Sequence, residues 1–571
     1  MLRRKNRLMR AGRVEEAAAI AKRVRSIITK NNSVRLHRCD TRRNVRETWS
    51  KVRVITRRRN DDAAAGIMPT ADVLNRHYAS ISTDPAYVPV QRKLSAGGAE
   101  SYCTEYDVFH MLDRLKPTAT GMDGLPAWFL RVSAPVIAAP LAVLFNQSIS
   151  SGVVPRQWKT AVITPVPKNS APVTPGDYRP ISITSVLSRL VERRIVRRYI
   201  YPALYTPPPG LCFTDQYAFR PTGSTTAALV AIQHTVCAML SNNQFVRVFV
   251  LDFSKAFDSI RHNLFLRKLS SLSIPDEIYN WIVHFFSERG HCTRIGNDRS
   301  DIAEITASIV QGSSLGPASY VVSAADMQPG HAGNAIIKYA DDTYLIIPAV
   351  NSHTCTEELQ RIQSWADDNN LRLNAAKSRE IIFQAHSARK RGMQLPSPCL
   401  GIEQVSQITA LGVVVNDRMT ASDHVTELLS SCTKLLYALR VLRAHGMSQQ
   451  SLMDVFRATV ESKLQYAAPA WSGLCTAGDR ARLNAFLRRC VKLGYRECTA
   501  PPVEDIFAAC DEQLFSKISR NSLHILQQFL PERPSLSYSL RPRPHNKTLI
   551  TKTSQLNDRD FIIRSIYKDS Y

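Results

Sequence analysis

The amino-acid sequence predicts an α+β protein of several domains, and three features carry that prediction. Between Lys168 and about residue 420, runs of strand composition ("FVRVFVLDF", "AIIKY", "TYLII", "REIIF", "ITALGVVV") alternate with helical stretches. Beyond that point the apolar residues shift to helical spacing, with Val425, Leu428, Leu429, Cys432, Leu435, Leu436, Leu439 and Leu442 along one face. A chain of 571 residues at 44% hydrophobic is also large enough for several cores, which excludes a small stapled scaffold or a disordered polymer.

Taken in order, the elements begin with a basic segment. Residues 1–60 carry twenty Lys or Arg against four acids. Within them "VEEAAAIAKRVRSIITK" sets Val14, Ala18, Ala21, Val24 and Ile28 at helical spacing, so a basic amphipathic helix is expected, facing either nucleic acid or solvent. The run Arg57 to Arg59 suits a phosphate-binding patch, a solvated face or a nuclear-import signal. The Gly/Pro/Asp-rich "KPTATGMDGLP" opens a new region, and the apolar "SAPVIAAPLAVLFNQSI" after it reads as a helix. "WKTAVITPVPK" alternates like a strand and ends at Lys168. From about Pro531 the chain is rich in Pro, Arg and Ser and reads as poorly ordered, apart from a short final helix.

Charge and cysteine usage narrow the function. Lys and Arg number 74 against 48 acids, a formal net charge of +26. Such an excess points to a polyanionic partner, nucleic acid before an acidic membrane surface, with a solubilising basic surface as the plain alternative. The twelve cysteines contain no C-x-x-C pair and no Cys/His knuckle, which argues against structural zinc and a disulfide framework and for a reducing compartment. No apolar run approaches the ~20 residues that span a bilayer, and "MLRRKNRLMRAGR" lacks the apolar centre of a signal peptide. A soluble protein of the nucleus or cytoplasm, with no membrane partner, is expected.

The most informative stretch is "NAIIKYADDTYLIIP", where Asp341 and Asp342 sit side by side between two apolar runs, in a break short enough to be a hairpin turn. Two carboxylates at one tip repel, and a divalent cation is the natural partner for clustered carboxylates. A third carboxylate is available in "VRVFVLDFSKAFDSI", whose apolar run delivers Asp252 at its end. Three such groups can hold two Mg²⁺ ions about 3.5–4 Å apart, the geometry of phosphoryl transfer. Asp also favours polar turns and helix caps, so the pair alone reads either way.

Other motifs favour the catalytic reading. "GMDGLPAWFL", "WKTAVITPVPK" with "DYRPISIT", "QYAFRPTGSTTAAL", "FVLDFSKAFDSI", "VQGSSLGP", "KYADDTYLI", "WADDNNLRLNAAKS" and "ITALGVVV" follow one another in the order of a LINE-type reverse transcriptase, the polymerase of non-long-terminal-repeat retrotransposons, which the chain resembles from about residue 105 to 500. The resemblance implies a right-hand polymerase fold: a basic N-terminal segment at 1–60, an N-terminal extension at 61–157, fingers at 158–240, a palm of antiparallel sheet and helices at 241–420, a helical thumb at 421–530 and a tail at 531–571. It implies RNA-directed DNA synthesis with two Mg²⁺ ions, Mn²⁺ being an acceptable substitute. Asp252 and Asp341 would bind metal with the Phe253 carbonyl, and Asp342 less directly, because neighbouring side chains on a strand point to opposite sides.

Further roles follow from the same resemblance. Phe257 would bar a ribose 2′-hydroxyl. Lys168 and Arg179 would grip the triphosphate, a point charge and a bidentate fork that both suit phosphate. Gln311 and Gly312 would pack against the nascent base pair, Gly312 allowing close backbone approach. Lys377 would sit near the departing pyrophosphate, and Arg220 would touch the template backbone. Implied partners are an RNA template, an RNA–DNA hybrid, target or primer DNA, and deoxynucleoside triphosphates. The chain begins where a linker after an N-terminal endonuclease would lie, so target nicking is expected to come from elsewhere and the copy to be a truncated one. A catalytically idle nucleic-acid-binding relic and an RNA-dependent RNA polymerase are the competing readings. Ala340 before the aspartates and Phe257 at the sugar gate count against the second.

Overall fold

The computed structural model describes residues 1–11, 13–37, 68–94, 102–169, 171–254, 257–385, 388–389, 392, 394–532, 547–552 and 556–568. The chain divides into two compact units. One comprises Ala64–Ser406 with Leu523–Gln528, and the other Met1–Ala63, Gln407–Ser522 and Phe529–Tyr571.

The first unit holds two five-stranded sheets, with strands numbered along the chain. One is built from β1 (Thr160–Pro167), β2 (Tyr178–Ile183), β5 (Arg289–Ile295), β6 (Asp298–Arg299) and β7 (Ala303–Ile305), ordered β2-β1-β5-β6 with β7 also on β5. The other is built from β3 (Phe245–Leu251), β8 (Ala335–Tyr339), β9 (Asp342–Pro348), β11 (Arg379–Gln384) and β12 (Glu403–Val405), ordered β12-β11-β3-β9-β8. Two short strands, β4 (Phe253–Ser254) and β10 (Arg372–Leu373), pair with each other.

β3 is the middle strand of its sheet and is covered on both faces, which is why "FVRVFVL" reads as a continuous run instead of alternating. Helix Thr225–Asn242 packs on this sheet, and its start is fixed by the Ser224 hydroxyl, which accepts from the Ala227 N–H at 3.0 Å. The core of the unit gathers Phe249, Leu251, Leu345 and Ile347 from the sheet with Phe145, Trp281 and Phe285 from helices. Helix Ala134–Ser150, expected from "SAPVIAAPLAVLFNQSI", buries Ala138, Ala142, Phe145 and Ile149.

One charged residue interrupts the apolar run of β3. Arg247 is 3% exposed and meets the wholly buried Glu380 of β11 at 2.5 Å, and it also donates to the Ser397 carbonyl at 3.0 Å. Two ions withdrawn from water repay their desolvation only when each is fully hydrogen-bonded, as this guanidinium nearly is.

The second unit is mostly helical. Helix Val14–His37, expected from the N-terminal pattern, carries Glu15 and Glu16 in its first turn, where acids favour the helix dipole. Helix Ser422–Ala444 buries Val425, Leu428, Cys432, Leu436, Leu439 and Leu442, with Leu429 and Leu435 half-buried at the edges of that face. The expected short final helix is Phe561–Tyr567, where the Asp560 carboxylate caps the Ile563 N–H and Arg564 forms a fork on Asp511 with two 2.8 Å contacts. The Arg57–Arg59 run and residues 533–546 of the tail lie outside the described residues.

One expected strand is corrected. "ITALGVVV" reads as one strand but folds as a hairpin of β13 (Gln407–Ala410) and β14 (Val413–Asn416), closed by Ala410↔Val413. Its two loop residues both have positive φ, Leu411 at 46° and Gly412 at 81°, the mirror-image turn that matches strand twist. Leucine is a poor signal for such a turn. Its carbonyl is held by the Tyr466 hydroxyl at 2.9 Å.

Removing the carboxylate with Glu380→Ala should cost about 3–5 kcal/mol in urea denaturation, because it strands a buried guanidinium. The double change Arg247→Met with Glu380→Leu should recover most of that loss.

Candidate active site

Asp252 is the first residue beyond β3, and its place is set by the ladder. β3 pairs antiparallel with β9 from Val246↔Pro348 to Leu251↔Thr343, and β9 pairs with β8 from Ala335↔Ile346 to Tyr339↔Asp342. Ala340 and Asp341 therefore form a two-residue hairpin loop, and Asp252 emerges beside it. Ala340 takes φ +56°, a conformation that usually falls to glycine, at a cost of about 1–2 kcal/mol.

The strained tip is held by Gln216, a buried amide from "QYAFRP". Its Oε1 accepts from the N–H of Ala340 and of Ala218, both at 3.0 Å, and its Nε2 donates to the Ala340 carbonyl at 3.4 Å. Beside it Lys338 of β8, fully buried, pairs with Asp215 at 2.9 Å and donates to the Ala324 and Met327 carbonyls. Asp252 is anchored from the other side. Its N–H donates to the Ser378 hydroxyl at 3.2 Å, and its carbonyl accepts from Asn374 N–H at 2.8 Å. Lys377 lies exposed on this same "LNAAKS" turn.

Burial and neighbouring carboxylates raise the proton affinity of Asp341 and Asp342. Burial, then the charge of Asp252, lifts the pKa of Asp341, with Arg179 pulling the other way. Asp342 is raised to about 6, by burial first and then by Asp341 and Asp252, although its side chain reaches solvent. Beneath them the buried Tyr320 hydroxyl is raised well above its ordinary value by burial and by both aspartates.

In front of the hairpin lies a cleft of about 410 Å³. Lys168, Arg179, Phe257, Gln311, Gly312 and Asp341 all line it, drawn from segments as far apart as residues 168 and 341. Lys168 follows β1, with its N–H on the Asp177 carbonyl and its ammonium on the Gly176 carbonyl, both at 2.8 Å. Arg179, opposite Val166 on β2, is exposed. Phe257 stacks on Tyr320 at 4.6 Å and meets Phe219 edge-on at 6.1 Å, so its ring is fixed in the wall.

Gly312 sits at φ +123°, and a Cβ there would come within 2.1 Å of the Ser182 carbonyl, so only glycine lets this loop lie against β2. The Ser182 N–H donates to the Gln311 carbonyl at 2.8 Å, and the Gln311 amide donates to Asp258 at 2.8 Å. The loop ends on buried Glu192, whose carboxylate accepts from Ser314 and Leu315 N–H at 2.7 and 3.1 Å before helix Gly316–Ser323. The Phe253 ring is buried against Trp365, and its strand pairs with Leu373. Arg220 turns inward, donating to the Phe213 carbonyl and lying over the Tyr205 ring.

The donors at the tip are all oxygens, which fits a hard divalent cation. Among the described residues no group of three His, Cys, Asp or Glu side chains is placed to hold a metal ion, so Asp252, Asp341 and Asp342 do not form the expected three-carboxylate ligand set in this structure. Mg²⁺ commonly takes one or two carboxylates and completes its shell with water and substrate phosphates, which leaves Asp341 and Asp252 as candidate ligands. Sequence reasoning did not reach Gln216, Asn374, Ser378, Glu192 or Tyr320. The first three lie within the quoted motifs, and the signal was a polar residue inside an otherwise apolar or turn-forming run.

Residues 166–415 match the family described as reverse transcriptase (RNA-dependent DNA polymerase). The RNA-directed DNA polymerase from mobile element jockey of Drosophila melanogaster is 29% identical over 302 residues, 50% of this chain and 32% of that protein. The probable RNA-directed DNA polymerase from transposon BS of the same species is 24% identical over 69% of this chain and 46% of its own length. The chain thus spans about a third to a half of the curated relatives it matches. Apo telomerase from Candida tropicalis overlays 68% of this chain and 71% of its own at 13% identity and a TM-score of 0.35, too slight a likeness to bear on the fold.

The raised carboxyl of Asp342 sets a pH dependence. The fold favours the protonated form, so its contribution to stability is complete below the unfolded value near pH 4 and is lost as pH rises to about 6. In chelator, raising the pH from 4 to 7 should therefore cost about 1 kcal/mol more in wild type than in Asp342→Asn, solvent access keeping the difference below the full shift. Thermal denaturation should also show Mg²⁺ raising the melting temperature at pH 7 and not at pH 4.

Proposed function

Because residues 166–415 belong to the reverse transcriptase family, we propose that the chain is an RNA-directed DNA polymerase of a non-long-terminal-repeat retrotransposon, adding deoxynucleotides to a primer 3′-hydroxyl on an RNA template. The observation that carries this reading is the cleft itself: a basic pair, Lys168 and Arg179, faces Asp341 across about 410 Å³, with an aromatic ring, Phe257, in the wall between.

Asp252 and Asp341 would hold divalent cations together with the Phe253 carbonyl, and Asp342 would add charge from the solvent side. Bound there, two Mg²⁺ ions, or Mn²⁺, would supply activation of the attacking hydroxyl and charge stabilisation of the leaving pyrophosphate. Arg179 and Lys168 neutralise the triphosphate, whose charge moves onto the leaving group during transfer. Gln311 and Gly312 form the flat floor on which the new base pair rests. Lys377, exposed on a turn tied to the Asp252 backbone and not among the residues that line the cleft, would protonate the departing pyrophosphate.

Phe257 gains its discrimination from rigidity. A ring clamped by Tyr320 and Phe219 cannot swing aside for a 2′-hydroxyl. The fingers at 158–240, palm at 241–420 and thumb at 421–530 arrange these parts. The basic N-terminal helix and the thumb bind the phosphates of template, hybrid and target DNA by charge and shape, whereas Arg220, turned inward onto the Phe213 carbonyl, does not present its guanidinium to a template.

On a poly-rA template with an oligo-dT primer, the purified chain should incorporate dTTP with Mg²⁺, and Asp341→Ala or Asp252→Asn should lower the rate by about a thousandfold or more. No extension, with tight and salt-sensitive hybrid binding, would leave only a nucleic-acid-binding relic. Phe257→Ala should raise UTP use relative to dTTP by about tenfold or more. Unchanged sugar discrimination would remove Phe257 from the gate.

A further inference from the structure

Beside the floor of the cleft lies a second, smaller cavity of about 30 Å³, bounded by helix Ala71–Ile81, β1, β2, β5 and the segment before Gly312. Asp258 and Gln311 line both spaces. Residues of the cavity wall carry buried polar atoms without hydrogen-bond partners among the described residues: the hydroxyl of Tyr78, Nε and Nη2 of Arg289, and Nε2 of His291. All three side chains are more than nine-tenths buried, Tyr78 at 3%, Arg289 at 1% and His291 at 4% exposure. The Arg289 guanidinium makes one hydrogen bond, to the Phe285 carbonyl at 2.9 Å, and rests over the Phe285 ring. A buried cation left so incompletely bonded is costly.

The chemistry of the wall identifies what fills the space. Asn75 Nδ2 donates to the Asp301 carbonyl, which orients its Oδ1 toward His291 Nδ1 at 2.8 Å. His291 Nδ1 therefore carries the proton, burial keeps the ring neutral with a pKa of about 4, and Nε2 faces the cavity as an acceptor. Arg289 presents only donors, Tyr78 can do either, and Asp258 brings a negative charge. An anion would meet the His291 lone pair and the Asp258 carboxylate, while a cation would meet Arg289. Water satisfies both kinds of group, and a space of about 10–15 Å³ on this measure admits one molecule.

We propose that this cavity holds one or two ordered waters that link buried Arg289 and Tyr78 to Asp258, and that through Asp258 they fix the Gln311 amide in the floor of the cleft. Arg289 and Tyr78 are then positioning residues, acting at a distance on the surface where the nucleotide pairs. That last step rests on the polymerase reading of the cleft. The hydration of the cavity does not.

The test is a double-mutant cycle in the full chain with Tyr78→Phe, Asp258→Asn and the pair, which keep the packing volume while Tyr78→Phe removes the hydroxyl and Asp258→Asn replaces the charged acceptor with a neutral amide. Tyr78 and Asp258 share no direct hydrogen bond, but the Asp258 charge acts on the Tyr78 hydroxyl through space, so coupling between them supports the proposal only where a crystal structure also orders water in the cavity. Urea denaturation should show the two changes departing from additivity by about threefold or more in the unfolding equilibrium constant. In primer extension, Tyr78→Phe should raise KM for the deoxynucleotide by roughly three- to tenfold while kcat moves less, a split that general loss of stability would not produce. Additive effects on unfolding, or a dry cavity in a crystal structure that orders water elsewhere, overturn the proposal. If wild type extends no primer, the polymerase reading fails while the denaturation cycle still decides the cavity.

Discussion

The antiparallel pairing of β3 with β9 is the constraint on which the site depends. It runs from Val246↔Pro348 to Leu251↔Thr343, and its last rung leaves Asp252 beside the tip that carries Asp341 and Asp342. Side chains alternate across a sheet, so a slip of one residue would send Asp252 to the opposite face and dissolve the cluster. The Arg247–Glu380 pair, buried between β3 and β11, opposes such a slip because a shifted register would leave both ions unpaired in the core.

The site is assembled against local preference. An alanine occupies a glycine-like conformation at Ala340, three carboxylates crowd one tip, and Gly312 brings a loop so close to β2 that no side chain fits. Each is stabilised by the surrounding scaffold. Gln216 clamps both backbone groups of Ala340, Asn374 and Ser378 clamp those of Asp252, and Glu192 closes the loop that begins at Gln311. Strain of this kind persists only where neighbouring structure over-determines it, and here the neighbours come from three separate stretches of chain.

The cleft and the cavity beside it share Asp258 and Gln311. Geometry at the floor of the cleft is consequently tied to a buried polar cluster whose groups sit on helix Ala71–Ile81 and β5. Low-dielectric surroundings strengthen such a network when it is satisfied and make each missing partner expensive, which links the stability of one sheet to the precision of the other.

Periodicity and composition made the α+β class, the strand runs, the hairpin at Asp341 and the long helices legible in the sequence, because burying a face imposes a period on the chain. The motifs also singled out Lys168, Arg179, Phe257, Gln311, Gly312 and Asp341, which the fold gathers into one cleft. The hairpin inside "ITALGVVV" stayed hidden, since Leu411 in a left-handed conformation carries no local signal and is held there by Tyr466, fifty-five residues on. Gln216, Glu192 and the cavity at Arg289 were hidden for the same reason: their partners are remote, and a polar residue in an apolar run does not announce what it will meet. The sequence by itself singled out the candidate site residues and the elements that bear them. Only the tertiary structure decided what holds those residues in place, because hydrogen bonds between distant segments exist only once register and packing have brought the segments together.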